Sequence, residues 1–312
     1  MLILRLFTSF IARIRALAPR YAPFRLCSVF LAITMLFNPT AGSQQGTPIH
    51  GLWVWTGPSI LQTPSAIDAL RDFCRANQIN EVYVSVSQRG EMMQSASMAR
   101  MILPLHQYNI RVEALLSSES ADEGGKHLEK LLAEVRTITR FDQEQSRSRF
   151  DGIHLDIEPQ QRPENKGPGN LRFLPGLVQA YRAVRDIAEP AGLSVNADVQ
   201  NKLLKGDVAQ RTMLLSSLPR FTLMMYELSS PRDGDDTAAK AQKVRDASKK
   251  FLDMAYEGLS GQRFGKMVIG LRTPDYEDQL TTMLRALDEA DGSNAHYAGW
   301  ARHSYNDTLP AR

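Results

Sequence analysis

From Gly51 onward the chain switches repeatedly between short β-rich runs and longer helical patterns, and this alternation restricts the fold more than any other feature. Strands are predicted at Leu52–Thr56, Glu81–Ser87, Ile110–Leu116, Gly152–Ile157, Leu193–Val199, Phe221–Glu227, Met267–Leu271 and Tyr297–His303. Helices are predicted between them, near 65–77, 94–106, 124–139, 170–189, 208–216, 237–258 and 276–290. Strands separated by helices imply a parallel sheet, because a parallel crossover needs a connection long enough to hold a helix. Eight strands with seven intervening helices is the count of a closed (β/α)8 barrel, the TIM barrel, as a single domain. An open doubly wound sheet is the alternative; its glycine-rich turn after the first strand is not matched by Thr56-Gly57-Pro58.

The residue pattern inside the strands says which way each side chain faces. In a barrel one strand face lies under the helices and the other points to the axis. One parity is aliphatic: Leu52/Val54, Val82/Val84/Val86, Val112/Ala114/Leu116, Ile153/Leu155/Ile157, Val195/Ala197/Val199 and Ile269/Leu271. The other is polar or aromatic: Trp53/Trp55, Tyr83/Ser85, Arg111/Glu113, His154/Asp156/Glu158, Asn196/Asp198, Met224/Tyr226, Gly270/Arg272 and Ala301/His303/Tyr305. Closure of the sheet would gather the second set on one axis, with the later members at the C-terminal mouth. Long polar loops after strands three (Ser117–Gly125), four (Pro159–Asn170) and six (Ser229–Asp236) belong to the same end, whereas the charged stretch Phe141–Arg149 reads as a solvated turn.

The first 43 residues read differently. They carry Arg5, Arg13, Arg15, Arg20 and Arg25 with no acid, then an apolar run from Leu26 to Phe37, then Ala41-Gly42-Ser43. This is the order of a secretory signal peptide, with cleavage expected after Ser43 and a periplasmic or secreted product. The apolar run is too short to span a bilayer, so no membrane span is expected beyond the signal, and residues 44–312 form the barrel domain. The charge follows. The whole chain sums to +3, but without the leader's five arginines the remainder is −2, which removes the electrostatic case for nucleic acid. Cys74 is then alone, forms no internal disulfide, and reads as a core residue on a helix. No phosphate-binding or dinucleotide motif is present, and no cofactor is expected.

Chemistry concentrates in Asp151-Gly152-Ile153-His154-Leu155-Asp156-Ile157-Glu158-Pro159. An apolar strand ending in alternating carboxylates is costly unless they are used, since buried unpaired charge is strongly unfavourable. Asp156 and Glu158 are two residues apart, face the same way, and should raise each other's pKa, dividing into an acid and a base near neutral pH. An internal ion network through Arg111, Arg272 or another arginine is the purely structural alternative.

This stretch resembles glycoside hydrolase family 18, the chitinase-like barrels, whose fourth strand reads Asp-Gly-x-Asp-x-Asp-x-Glu; Asp151, Gly152, Asp156 and Glu158 match. The family's sixth-strand Met-x-Tyr-Asp is mirrored by Met224-Met225-Tyr226-Glu227, with Glu replacing Asp. The resemblance implies a glycan substrate, Glu158 as general acid, Asp156 as the carboxylate that orients an N-acetyl group, and Tyr226 as a supporting hydroxyl. His154 departs from the pattern, standing where the family has its middle aspartate.

Trp53, Trp55, Tyr83, Glu113, His154, Asn196, Asp198, Arg272, His303 and Tyr305 are the further candidates for contact with a carbohydrate substrate or cell-wall glycan. A two-carboxylate retaining mechanism would need Glu227, Glu113 or Asp198 as its second group. Two rivals stand beside the glycosidase: a non-catalytic glycan-binding barrel, and a phosphoesterase with His154, Asp156, Glu158, Asp198 and Glu113 as a metal cage. Trp300, on the helix-facing parity, and His50, before strand one, are expected away from the mouth.

Overall fold

The computed structural model describes residues 47–309 except 89, 168, 227–235 and 260–262. The predicted leader, Glu227 and most of the loop after strand six lie outside the described residues. Eight strands form a closed parallel ring: β1 (Ile49–Val54), β2 (Glu81–Ser85), β3 (Arg111–Ser118), β4 (Gly152–Ile157), β5 (Ser194–Gln200), β6 (Arg220–Met224), β7 (Lys266–Arg272) and β8 (Tyr297–His303), with β8 paired back to β1. Seven main helices connect them: α1 (Pro64–Ala76), α2 (Ser95–His106), α3 (Gly125–Glu144), α4 (Leu174–Ala188), α5 (Val208–Leu215), α6 (Thr237–Tyr256) and α7 (Leu280–Asp291). The architecture is the expected (β/α)8 barrel. No described helix is long and apolar enough to cross a membrane.

Local chemistry starts several of these helices. Thr63 accepts from the Ala66 amide at 3.2 Å, with Pro64 at the first helical position of α1. Asp207 and Gln210 cap α5 reciprocally, and Asp236 accepts from the Ala239 amide at 2.7 Å to begin α6. Two of the boundaries that differ from expectation bear on the site. The stretch read as a solvated turn begins inside α3, which runs on to Glu144; Phe141 and Asp142 are buried there, Asp142 accepts from the Phe150 amide at 3.0 Å, and the irregular turn is confined to 145–149. β6 ends at Met224, so Tyr226 stands on the segment that follows it.

The two strand faces separate as their parity requires. The aliphatic set is buried beneath the helices, with Cys74 fully enclosed in the same layer. Inside the ring a smaller cluster of Trp53, Tyr83, Leu115, Val268 and Ala301 plugs the axis. Glycines make room for its rings: a Cβ on Gly270 would lie 2.8 Å from the Trp53 indole, and one on Gly51 would lie 2.6 Å from the Tyr83 hydroxyl. The interior is thus a packed core with a shallow mouth above it. At the seam between the last strand and the first, Asn306 accepts from the Trp55 amide at 2.8 Å and donates to the Trp55 carbonyl at 3.0 Å.

Candidate active site

β4 carries His154 and Asp156 on one inward row, and Glu158 follows its last residue, each a step nearer the mouth. The lowest of them is wholly enclosed. His154 Nδ1 lies 3.1 Å from Glu113 Oε2 and Nε2 lies 2.9 Å from Asp198 Oδ1, while its ring stacks on Tyr83 with centroids 3.8 Å apart. A carboxylate only accepts, so two such contacts call for a proton on each ring nitrogen. Burial alone would lower the His154 pKa, but the charges and hydrogen bonds of Asp198 and Glu113 outweigh it and raise it to about 9.

The network continues on both sides. Asn196 donates to Glu113 at 2.7 Å, and Arg220 reaches Glu113 at 2.7 Å and Glu81 at 2.6 Å. On the other side Trp53 donates its indole N–H to Asp198 at 3.0 Å. Three buried carboxylates (Glu81, Glu113, Asp198) are therefore balanced by Arg220 and His154, with Arg111 3.6 Å from Glu81 at the rim. An ion network of the kind expected as the structural alternative does exist. It lies one level below Asp156 and Glu158 and is organised by Arg220, a residue the strand prediction omitted.

Above it, the carboxyls are differently placed. Glu158 is half-buried and accepts from Gln200 at 2.8 Å, from Gln160 at 3.1 Å and from Gln161. Burial raises its pKa, the Gln200 hydrogen bond opposes this, and the charge of Asp198 adds to the rise. Asp156 has one buried carboxyl oxygen with no hydrogen-bond partner. Burial, then the charges of Asp198 and Glu158, push its pKa well above the ordinary carboxylate range, against the pull of His154.

Across the mouth, Trp55 donates its indole N–H to His303 Nε2 at 2.9 Å. Indole is a donor only, so His303 is a neutral ring with its hydrogen on Nδ1, consistent with a pKa lowered by burial. Tyr226 packs against the same ring at 5.3 Å, and burial with the charges of Asp198, Asp156 and Glu158 keeps it a phenol. Arg272 donates to Asp275 at 2.8 Å on this rim.

Trp55, Asp156, Glu158, Tyr226 and His303 are partly exposed and Arg272 is exposed, all at the C-terminal ends of their strands or just beyond them. Several other expected contacts move. Trp53, Tyr83, Glu113 and His154 have no exposed surface, and Asn196 and Asp198 have almost none, so they underlie the mouth rather than line it. Tyr305 is corrected too. The strand ends at His303, the next residues form a short 3-10 turn, and Tyr305 packs on Phe73 of α1 with centroids 5.2 Å apart, outside the ring. His154 does not hold Asp156, because both its nitrogens are committed elsewhere. The same commitment dissolves the metal cage: among the described residues no group of three His, Cys, Asp or Glu is placed to share an ion. Gln200, Gln160 and Gln161 were missed. Gln200 is the next inward residue after Asn196 and Asp198 and was legible by parity; the other two sit in an irregular loop with no pattern to find them by.

No protein-family model matches the chain, and no curated protein matches it in sequence. Solved structures do match in shape. A chitinase from Bacteroides thetaiotaomicron is 14% identical, with 83% of this chain and 90% of that chain covered and a TM-score of 0.50. A chitinase from Chromobacterium violaceum is 12% identical over 83% of this chain and 94% of that one, also at 0.50. The spore cortex-lytic enzyme of Bacillus megaterium is 10% identical over 82% and 70%, at the same score. At such identities the likeness is one of fold: the chain is a (β/α)8 barrel similar in shape to these chitinases.

Proposed function

We propose that this protein is a glycoside hydrolase acting on an N-acetylated glycan at the C-terminal mouth, with Glu158 as general acid. The observation that carries the reading is the division between the two levels of carboxylates. Glu113 and Asp198, the described candidates for a second catalytic carboxylate, are tied to His154, Arg220, Asn196 and Trp53 below the mouth. Asp156 remains beside Glu158, with a buried carboxyl oxygen that has no hydrogen-bond partner among the described residues. That arrangement suits a substrate-assisted mechanism. Glu158 protonates the leaving oxygen, Asp156 bonds the acetamido group whose oxygen attacks, and Tyr226 steadies that group from across the mouth. Trp55 offers the sugar ring an apolar face. The chitinases and the spore cortex-lytic enzyme similar to this chain in fold agree in kind with this assignment.

Glu158→Gln keeps the shape of the side chain and removes the transferable proton. It should lower release of reducing ends from N-acetylglucosamine oligomers by at least about 100-fold while leaving oligomer affinity within a few-fold. Undiminished turnover in the variant overturns the assignment. A second reading, a glycan-binding barrel without turnover, is favoured by the three glutamines that already occupy the Glu158 carboxyl. Binding of the same oligomers by the unmodified protein with no reducing-end release selects it. The reading includes export, with cleavage after Ser43 expected in the N-terminal sequence of the mature protein recovered outside the cytoplasm.

A further inference from the structure

Outside the ring, at the seam of β8 and β1, a groove of about 160 Å³ runs between the end of α1 and the face of α7. One wall is an aromatic pair: the His50 ring stacks on Trp300 with centroids 4.1 Å apart and planes inclined by 12°. Asp288 fixes that wall, accepting from Trp300 Nε1 at 2.9 Å, from the Tyr297 hydroxyl at 2.9 Å and from His50 Nε2 at 3.0 Å. His50 Nδ1 faces the Gln78 carbonyl at 3.0 Å, so both ring nitrogens meet acceptors. The proposed glycosidase chemistry uses none of these residues.

Two arginines line the same groove. Arg302 is half-buried over the Phe73 ring, 5.1 Å from its centroid, and its polar contacts are long: 3.3 Å to Thr273 Oγ1 and 3.4 Å to Asn77 Oδ1. No carboxylate comes within ion-pair distance of it among the described residues, and burial lowers its pKa from the ordinary value. Arg285 of α7 lines the same groove and likewise has no ion pair among the described residues. Asp288 is the acid lining the groove, and its oxygens are already held by Trp300, Tyr297 and His50. The charge of Asp307 acts on Arg302 only from beyond ion-pair distance, and a half-buried cation with no close ion pair is unfavourable unless further negative charge comes to it.

We propose that this groove is a second site, separate from the mouth, for a compact oxyanion: a phosphate group or the carboxylate of an acidic sugar. The Arg302 guanidinium would bind it as a planar fork, Arg285 and the Asn77 amide would add donors, and the His50–Trp300 wall would bound it.

The test follows the Trp300 indole N–H resonance, assigned with Trp300→Phe, in the full-length 15N-labelled chain. Inorganic phosphate and glucuronate are titrated separately, with glucose as the uncharged control. A saturable shift with at least one anion and none with glucose is expected, and which anion binds identifies the source. Arg302→Gln and Arg285→Gln should each weaken that binding by about tenfold, the loss of one charge-assisted contact. Arg285 is exposed, so its variant reads the site even if Arg302→Gln disturbs the packing on Phe73. Absence of a saturable shift with either anion overturns the proposal, as does an affinity unchanged by Arg285→Gln and Arg302→Gln.

Discussion

His154→Gln removes a charge that two buried carboxylates share, and its cost should depend on pH in a way that packing alone would not. In the native protein the imidazolium sits 3.1 Å from Glu113 and 2.9 Å from Asp198, with no exposed surface. The rise of its pKa from an ordinary 6.5 to about 9 corresponds to about 3 kcal/mol, at about 1.4 kcal/mol per pH unit. A raised pKa stabilises the folded state fully below the unfolded value, so this contribution is complete below 6.5 and disappears as the pH climbs through about 9. Denaturant unfolding of wild type and variant at about pH 6 and about pH 10 measures it. At the lower pH the variant should be less stable by about 3 kcal/mol, within the range for removing one partner of a buried ion pair. At the higher pH only the lost stacking on Tyr83 should remain. An equal gap at both pH values would refute the doubly protonated ring, and with it the division between the two carboxylate levels.

Two further outcomes follow from the geometry. Gln200→Ala removes a 2.8 Å hydrogen bond that favours ionised Glu158, so the acid should keep its proton to higher pH and the alkaline limb of kcat/KM should move upward; a limb that stays or falls contradicts Glu158 as the acid. Gly270→Ala would place a methyl group 2.8 Å from the Trp53 indole and should cost about 1–3 kcal/mol, seen as a lower Tm of the intact protein, whereas an unchanged Tm would mean that the plug yields freely.

The barrel was legible because its signal is repeated. Six of the eight strands carried the same aliphatic face, and β4 and β8 were bounded in the sequence where they are in the structure. What parity cannot supply is height along the axis. Glu113 and His154 are both inward, but the register pairs Glu113 with Gly152, two residues before His154, and Tyr83 with Glu113. That stagger sinks Tyr83, Glu113 and His154 beneath the mouth, and only the pairing of strands reveals it. Tyr305 was misplaced for a simpler reason: the alternation was continued past His303, where the strand has already ended. Arg220 was missed because a prediction beginning at Phe221 leaves out the first residue of β6, a position that closes the ion network from the opposite end.

The clasp that Asn306 makes on Trp55 has a consequence for when the site comes into being. Trp55 is held by groups that leave the ribosome about 250 residues after it, so the mouth is finished by the final turn of the ring and not by its own loops. A nascent chain carries Asp156 and Glu158 long before Trp55 is held in place, and the mouth should take its final form abruptly, when the eighth strand docks.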